Sequence, residues 1–433
     1  MKHNFYIRKT KNDTVFNLFK KKNSNIQQEW QTKGSEYASA VNEMVRFADE
    51  HGWDNWKGKD PSDDRTHLAQ AVLALLKEAN EKGETQKFRQ DFPPAHAPLT
   101  GLMNNNSQSI CQLQFIEGQK VVFLTGSPYE QRQAFLLNGS ELLELDENIR
   151  AIGKSKIGAV FAIAVKNKIT TTQGWQGEII AEFTLSEDSG HGITEMIPFN
   201  DGKKILLTTA EGIFILSRQG EQMIHPVADE DDEEWSPNID MENATISDDN
   251  QLIIAGDQCS DYRVLDPEGN QIGTIGPQSS YPHYCLFSKD GSQLLTNSCH
   301  FYNGISIGVD TDKLNGISIP AYEENGDFIL LDDQMRVYSG VAASTYYILG
   351  DAYGYIRAID KNGKTLWRHH LGSSISGMAI SDDEQTLWVG SYSGMLHKLH
   401  LGMGQDSHTI GNGNHSEEFR IIFWKTELKP LFW

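Results

Sequence analysis

A glycine turn with an apolar residue three places beyond it recurs up to seven times after residue 110. The clearest copies are Ile359-Asp-Lys-Asn-Gly363-Lys-Thr-Leu366, Leu265-Asp-Pro-Glu-Gly269-Asn-Gln-Ile272 and Leu216-Ser-Arg-Gln-Gly220-Glu-Gln-Met223. Phe135-Leu-Leu-Asn-Gly139-Ser-Glu-Leu142 keeps the register, weaker copies centre on Gly177 and Gly316, and a degenerate one lies near Gly402. A period of roughly 40–50 residues carried by strand-like segments is the signature of a β-propeller, one four-stranded blade per repeat.

A second element precedes each glycine turn. Ile246-Ser-Asp-Asp-Asn-Gln-Leu-Ile253, Phe287-Ser-Lys-Asp-Gly-Ser-Gln-Leu294 and Ile380-Ser-Asp-Asp-Glu-Gln-Thr-Leu387 share one form. Asp-Gly between apolar strands signals a hairpin whose type I′ turn holds both central residues at positive φ. Each blade is thus expected to contain two hairpins, the Asp-rich turn joining the inner strands and the glycine turn the outer ones. Gly350-Asp-Ala-Tyr-Gly354 and Gly390-Ser-Tyr-Ser-Gly394 align without a gap in the last two blades. The expectation is an all-β, seven-bladed β-propeller with blades near 110–146, 148–186, 192–227, 240–277, 281–321, 328–371 and 374–425. Six or eight blades stay open, because the second and fifth copies are weak.

Ahead of the repeats the periodicity changes. Residues 1–32 are basic and polar and read as a lead-in. Ser35 is positioned to cap a helix with Tyr37, Val41, Met44, Val45 and Ala48 on one face, stopped by Gly52. A second helix opens near Asp60-Pro61, carries Leu68, Val72, Leu75, Leu76 and Ala79, and ends at Gly83. The N-terminal α-helical extension therefore spans 33–91. Residues 92–109, with Pro93-Pro94 and Asn104-Asn-Asn106, have linker composition, and the propeller is assigned to 110–433.

Composition narrows the function. A formal net charge of −21 argues against general nucleic-acid binding, which needs clustered Lys and Arg, and favours basic partners. Cys111, Cys259, Cys285 and Cys299 lack metal or disulfide spacing and read as reduced thiols. No apolar run approaches a membrane span and no apolar leader opens the chain, so a cytoplasmic location is expected.

Gly354-Tyr-Ile-Arg-Ala-Ile-Asp-Lys-Asn-Gly-Lys-Thr-Leu-Trp367 is similar to a PQQ-type repeat, and Phe287-Ser-Lys-Asp-Gly-Ser-Gln-Leu-Leu295 resembles the inner hairpin of YVTN or WD40 blades. The resemblance covers about three quarters of the chain and implies the fold without an activity. No blade ends in Trp-Asp, and Ser288-Lys-Asp-Gly does not complete a sialidase-type Asp box.

No nucleophile elbow, P-loop or H-E-x-x-H pattern is present, so no catalytic, cofactor or metal residues are assigned. Asp310-Thr-Asp-Lys-Leu-Asn-Gly316 lacks the oxygen ligand an EF-hand needs at its fifth position and reads as a turn. His283, Cys285, Cys299 and His300 do not have zinc spacing. With Asp290-Gly291 as the turn, Cys285 pairs near Thr296, not Cys299. His397 and His400 fall on opposite faces of a strand.

Partner-binding candidates are the inter-blade run Asp229, Glu230, Asp231, Asp232, Glu233, Glu234 with Trp235, and the two tryptophans Trp53 and Trp56 between the helices. Adjacent carboxylates repel one another unless a cation compensates, and an aromatic beside them can anchor an interface. The expected function is a non-enzymatic, protein-binding propeller with a basic partner, a bacterial immunity or antitoxin protein against a basic toxin being one form. The alternatives are a lactonase-like hydrolase with a metal at the propeller axis, and a regulatory or assembly scaffold.

Overall fold

The computed structural model describes residues 11–186, 192–227, 237, 239–301, 303–323 and 325–433, with side chains from residue 23 onward. By contact the chain divides into two units. The larger comprises Ser107–Gln405 and Gly411–Leu428. It is a seven-bladed β-propeller, with seven antiparallel sheets arranged in a ring.

The blades span 110–144, 149–184, 193–225, 243–275, 281–332, 337–370 and 375–422. Each blade is built on four strands in chain order, with a fifth added to the sheets of blades 4 and 7, and the first strand is innermost. First strands of successive blades touch in a closed cycle, and Ile375–Ile380 of blade 7 meets Ile110–Glu117 of blade 1. No strand is exchanged to close this ring; all four strands of blade 7 are contiguous in the chain. Closure instead uses side-to-side contact. Ser376 Oγ donates to the Ile110 carbonyl at 2.6 Å, Ser107 bridges to Trp424, and Phe423 packs on Phe135 at 5.0 Å between ring centroids.

The Asp-rich turns do join first to second strands, but with different chemistry from the expected type I′ turn. Ser247, Ser288 and Ser381 each accept from a backbone N–H five residues on, that of Leu252, Gln293 and Thr386, at 3.0 Å in every case. Each also donates to the Asp two places on, at 2.6, 2.7 and 2.5 Å. Because serine satisfies that amide, only one residue per turn needs positive φ: Asn250, Gly291 or Glu384. Glycine is the relaxed choice there. Cys285 lies opposite Thr296, as the turn predicts.

Blade 5 departs from expectation. Gly316 does not join its third and fourth strands directly. After Gly304–Asp310 the chain leaves the sheet, and Ser318–Ile319 pairs in parallel with Gln271–Ile275 of blade 4. It then returns as Phe328–Asp332, the fourth strand of blade 5. Residue 328 therefore does not start blade 6, which begins at Val337.

The smaller unit contains the chain up to Asn106, Asp406–Ile410 and Lys429–Trp433. Its first helix runs Lys11–His51 without interruption, longer than the helix expected from Ser35, so most of the presumed lead-in is helical. Ser35 is no cap; its hydroxyl donates back to the Thr32 carbonyl at 3.1 Å. Gly34 serves packing. A Cβ there would lie 2.3 Å from Arg65 Nη1. The Arg65 guanidinium is buried over the Trp30 ring, 4.5 Å from its centroid, and pairs with Asp63 at 2.6 Å.

The second helix, Ala69–Lys82, ends at Gly83 with φ 70° as expected. Residues 92–103 are no open linker: Phe92, Ala95, Leu99 and Met103 are buried. The C-terminal segment belongs to this unit as well. Asn80 exchanges hydrogen bonds with the Phe432 backbone at 2.8 and 2.9 Å. Trp433 is buried against Trp30 and Phe88, with its indole N–H on the Phe92 carbonyl at 2.7 Å. Among the described residues no helix is long and apolar enough to cross a membrane.

Trp433→Ala is expected to destabilise the helical unit by about 3–5 kcal/mol, the usual cost of deleting a buried aromatic. Urea denaturation followed by far-UV circular dichroism checks this, and an unchanged midpoint would show that the tail is dispensable.

Candidate functional site

A meandering blade sends its loops to two ends. The first-to-second and third-to-fourth turns emerge at one end. The second-to-third loops and the connections between blades emerge at the other. On the latter face lie Tyr129, Phe301, Tyr353 and Tyr392, one in the second-to-third loop of each of blades 1, 5, 6 and 7. Tyr322 joins them by donating its hydroxyl to the Ser280 carbonyl, between blades 4 and 5. These five are the exposed aromatics of the propeller among the described residues. Exposed aliphatics such as Leu143, Ile179, Leu330 and Leu366 sit instead on outermost strands.

The same face is acidic beside Tyr129. Asp240 and Glu242 lie in the connection between blades 3 and 4, and both carboxylates act on the Tyr129 phenol, which burial already pushes up. Burial first, and the charges of Asp240 and Asp257 after it, hold the Glu242 carboxyl above its ordinary range. Asp257 is 3.5 Å from His225, and both side chains are buried.

Below this face six of the seven innermost strands carry a bulge. The extra residues include Gln112, Arg150, Thr194, His283, Tyr338 and Ser376. A bulge frees one side chain from the ladder and re-aims it, and here several stitch blade to blade. Gln112 accepts from the Ile152 N–H at 2.7 Å and donates to the Thr194 carbonyl at 3.0 Å. Its backbone has φ 48°, in the left-handed region. His283 Nδ1 lies 2.6 Å from the Val337 carbonyl, so that nitrogen carries the proton. Its ring meets Tyr338 edge-on at 4.8 Å, and Tyr338 meets Tyr392 at 5.6 Å.

The innermost strands enclose an axial cavity of 450 Å³. At the aromatic end it is lined by Gln112, Thr194 and Tyr338, and at the other by Lys156, Asp248, Lys289 and Asp382. Glu195 projects into it. Its carboxylate has no hydrogen bond or ion pair among the described residues, and the enclosing walls raise its pKa, with Lys156 acting in the opposite direction. Asn243 Oδ1 and Thr245 Oγ line the same cavity, buried and without hydrogen-bond partners. Among the described residues no three His, Cys, Asp or Glu side chains gather in a metal-holding group.

Of the residues singled out from sequence, Asp229, Glu230, Asp231, Asp232, Glu233, Glu234 and Trp235 lie outside the described residues. Trp53 and Trp56 share one turn after the first helix. Trp53 is exposed, while Trp56 packs edge-on against Phe47 at 5.5 Å. His397 and His400 use different carboxylates, Glu417 at 2.7 Å and Glu418 at 2.6 Å. The aromatic face and Glu195 were not singled out. The tyrosine within each Gly-x-x-x-Gly turn of the last two blades was a usable signal, because those turns open on this face.

No family model matches the sequence, and a search of curated proteins finds no match. Among solved structures the chain is similar to the computationally designed Ika8 protein at 12% identity and a TM-score of 0.44, covering 67% of this chain and 96% of that one. It is also similar to KlHsv2 with loop 6CD replaced by a Gly-Ser linker, at 9% identity and a TM-score of 0.45, covering 73% and 100%.

Burial holds His283 neutral, its pKa lowered to about 4, and His369 behaves likewise at about 3. Both rings take up a proton near pH 6.5 once unfolded. Their contribution to stability is complete above that pH and is lost as pH falls from about 6.5 toward 4. The melting temperature is expected to drop across this window. The drop should shrink in His283→Gln, which keeps a donor for the Val337 carbonyl without a titrating ring. Identical slopes for the two proteins would show that His283 is not among the groups responsible.

Proposed function

We propose that this chain is a non-enzymatic, protein-binding propeller whose loop-bearing face receives a basic partner. One observation carries the reading: among the described residues, the exposed aromatics of the propeller are confined to that face. Tyrosine and phenylalanine displayed to solvent lower solubility without helping the fold, whereas at an interface they supply large apolar area at small entropic cost. Charge supports a basic partner. Asp240, Glu242 and Asp257 lie on the same face, and Asp229–Trp235 falls in the same connection in sequence, within a chain of net charge −21. Opposite charges would steer such a partner in and fix its orientation. A toxin with a basic surface, masked in the manner of an immunity protein, is one partner of this chemistry. The hydrolase alternative would draw on an axial group of metal-ligating side chains that the described residues do not bring together.

The test is affinity capture from native extract with wild type and with a Phe301→Ser, Tyr353→Ser, Tyr392→Ser triple variant, followed by mass spectrometry. A basic protein should be retained by wild type and lost from the triple variant. Its retention should fall as salt rises from about 0.05 to 0.5 M, where screening shortens the reach of charge. Neutralising Asp229–Glu234 should weaken it further. The same proteins captured equally by wild type and the triple variant would remove the basis of the proposal.

A further inference from the structure

The axial cavity is lined by hydrogen-bond acceptors that no donor meets among the described residues. Glu195 is an unpaired carboxylate there, and Asn243 Oδ1 and Thr245 Oγ are buried without partners. The Asn243 amide cannot rotate to help, because its Nδ2 already donates to the Met241 and Gly256 carbonyls at 3.1 and 3.2 Å. A buried acceptor left without a donor is costly, and the Glu195 carboxylate, open to the channel, adds a negative charge to the same lining. The missing complement is a cation with several N–H groups. We infer that the channel receives the basic side chain, arginine or lysine, of the partner protein, with Glu195 as its anion and Asn243 and Thr245 as further acceptors.

The two ends of the cavity differ in their lining. The end formed by first-to-second turns carries Lys154, Lys156 and Lys289 among its lining residues, with Asp248 and Asp382 between them. Lys289 is held by Glu384 at 2.6 Å, and the Lys154 ammonium donates to the Phe115 carbonyl at 2.8 Å. An incoming cation meets three ammonium groups and two carboxylates there. At the aromatic end it meets Gln112, Thr194 and the Tyr338 ring. Two arginines lie close to that route: Arg132, buried with Nη1 on the Arg150 and Ile193 carbonyls, both at 2.8 Å, and Arg336, whose guanidinium lies 5.1 Å over the Tyr338 ring. A side chain entering from the aromatic face passes Gln112, Thr194 and the Tyr338 ring, which Arg336 already faces, before reaching Glu195.

This inference rests on the protein-binding reading, and its test is separable from it. Calorimetric titration uses N-acetyl-arginine amide and N-acetyl-lysine amide as probes, with N-acetyl-citrulline amide as the neutral counterpart. At least one basic probe should bind wild type at millimolar concentration, and the citrulline compound should not. Glu195→Gln should weaken binding about threefold, the scale expected when one member of a solvent-open charge pair is removed. Thr245→Val should weaken it less, and Asp382→Asn, at the far end, should leave it unchanged. Equal binding of the citrulline compound, full binding by Glu195→Gln, or no binding of either basic probe would each overturn the channel site. If the probes fail while the triple aromatic variant still loses a captured protein, the protein-binding reading stands and the channel site falls. If the probes bind through Glu195 while that variant captures the same proteins as wild type, the reverse holds.

Discussion

Everything in the propeller depends on lateral contact between neighbouring sheets. A four-stranded blade has two largely apolar faces and cannot shelter either by itself. Clusters such as Ile197, Ile215, Ile246 and Leu265 are shared between blades 3 and 4, and Ile254, Val264, Phe287 and Val309 between blades 4 and 5. Because no strand is exchanged at the junction of blades 7 and 1, the ring is closed by the same kind of contact that joins every other pair. The Ser376–Ile110 hydrogen bond and the Phe123, Phe135 and Phe423 rings bear at that seam what a shared strand would otherwise provide. The bulged inner strands extend this logic. Gln112, His283 and Ser376 leave their own ladder and bond to an adjoining or nearby blade, so ring closure and channel lining are set by the same residues.

Much of this was legible in the sequence where local chemistry repeats. The serine and aspartate of Ser288-Lys-Asp-Gly build the turn themselves, which is why the pairing of Cys285 with Thr296 followed from the turn alone. The seven-blade count held for the same reason. Legibility failed where a distant contact sets the local structure. Ser35 looks like a helix start, but the helix runs through it, and its neighbour Gly34 is small so that Arg65 can stack on Trp30. Gly316 looks like an outer turn, but its segment is drawn away to pair with blade 4. Residues 92–103 have the composition of a linker, yet their apolar members are buried in the helical unit.

The candidate site was less legible than the fold, for a related reason. A carboxylate such as Glu195 acquires its character from seven strands converging around it, and no window of sequence contains them. The exposed aromatics are similar. Phe301 and Tyr353 look unremarkable in composition, and only their confinement to one end of the ring distinguishes them from residues packed in a core.

The helical unit is assembled from stretches far apart along the chain, and that has a consequence for the order of synthesis. Its first hundred or so residues are made at the start, but Trp433 and the Phe432 backbone, which cover Trp30 and satisfy Asn80, come after the whole propeller sequence. At ordinary translation rates the interval is on the order of tens of seconds. During it Trp30, Phe88 and Phe92 lack their final cover, while successive blades can already pack on one another. The helical unit is thus begun before the propeller sequence and completed only after it, when residues 429–433 arrive.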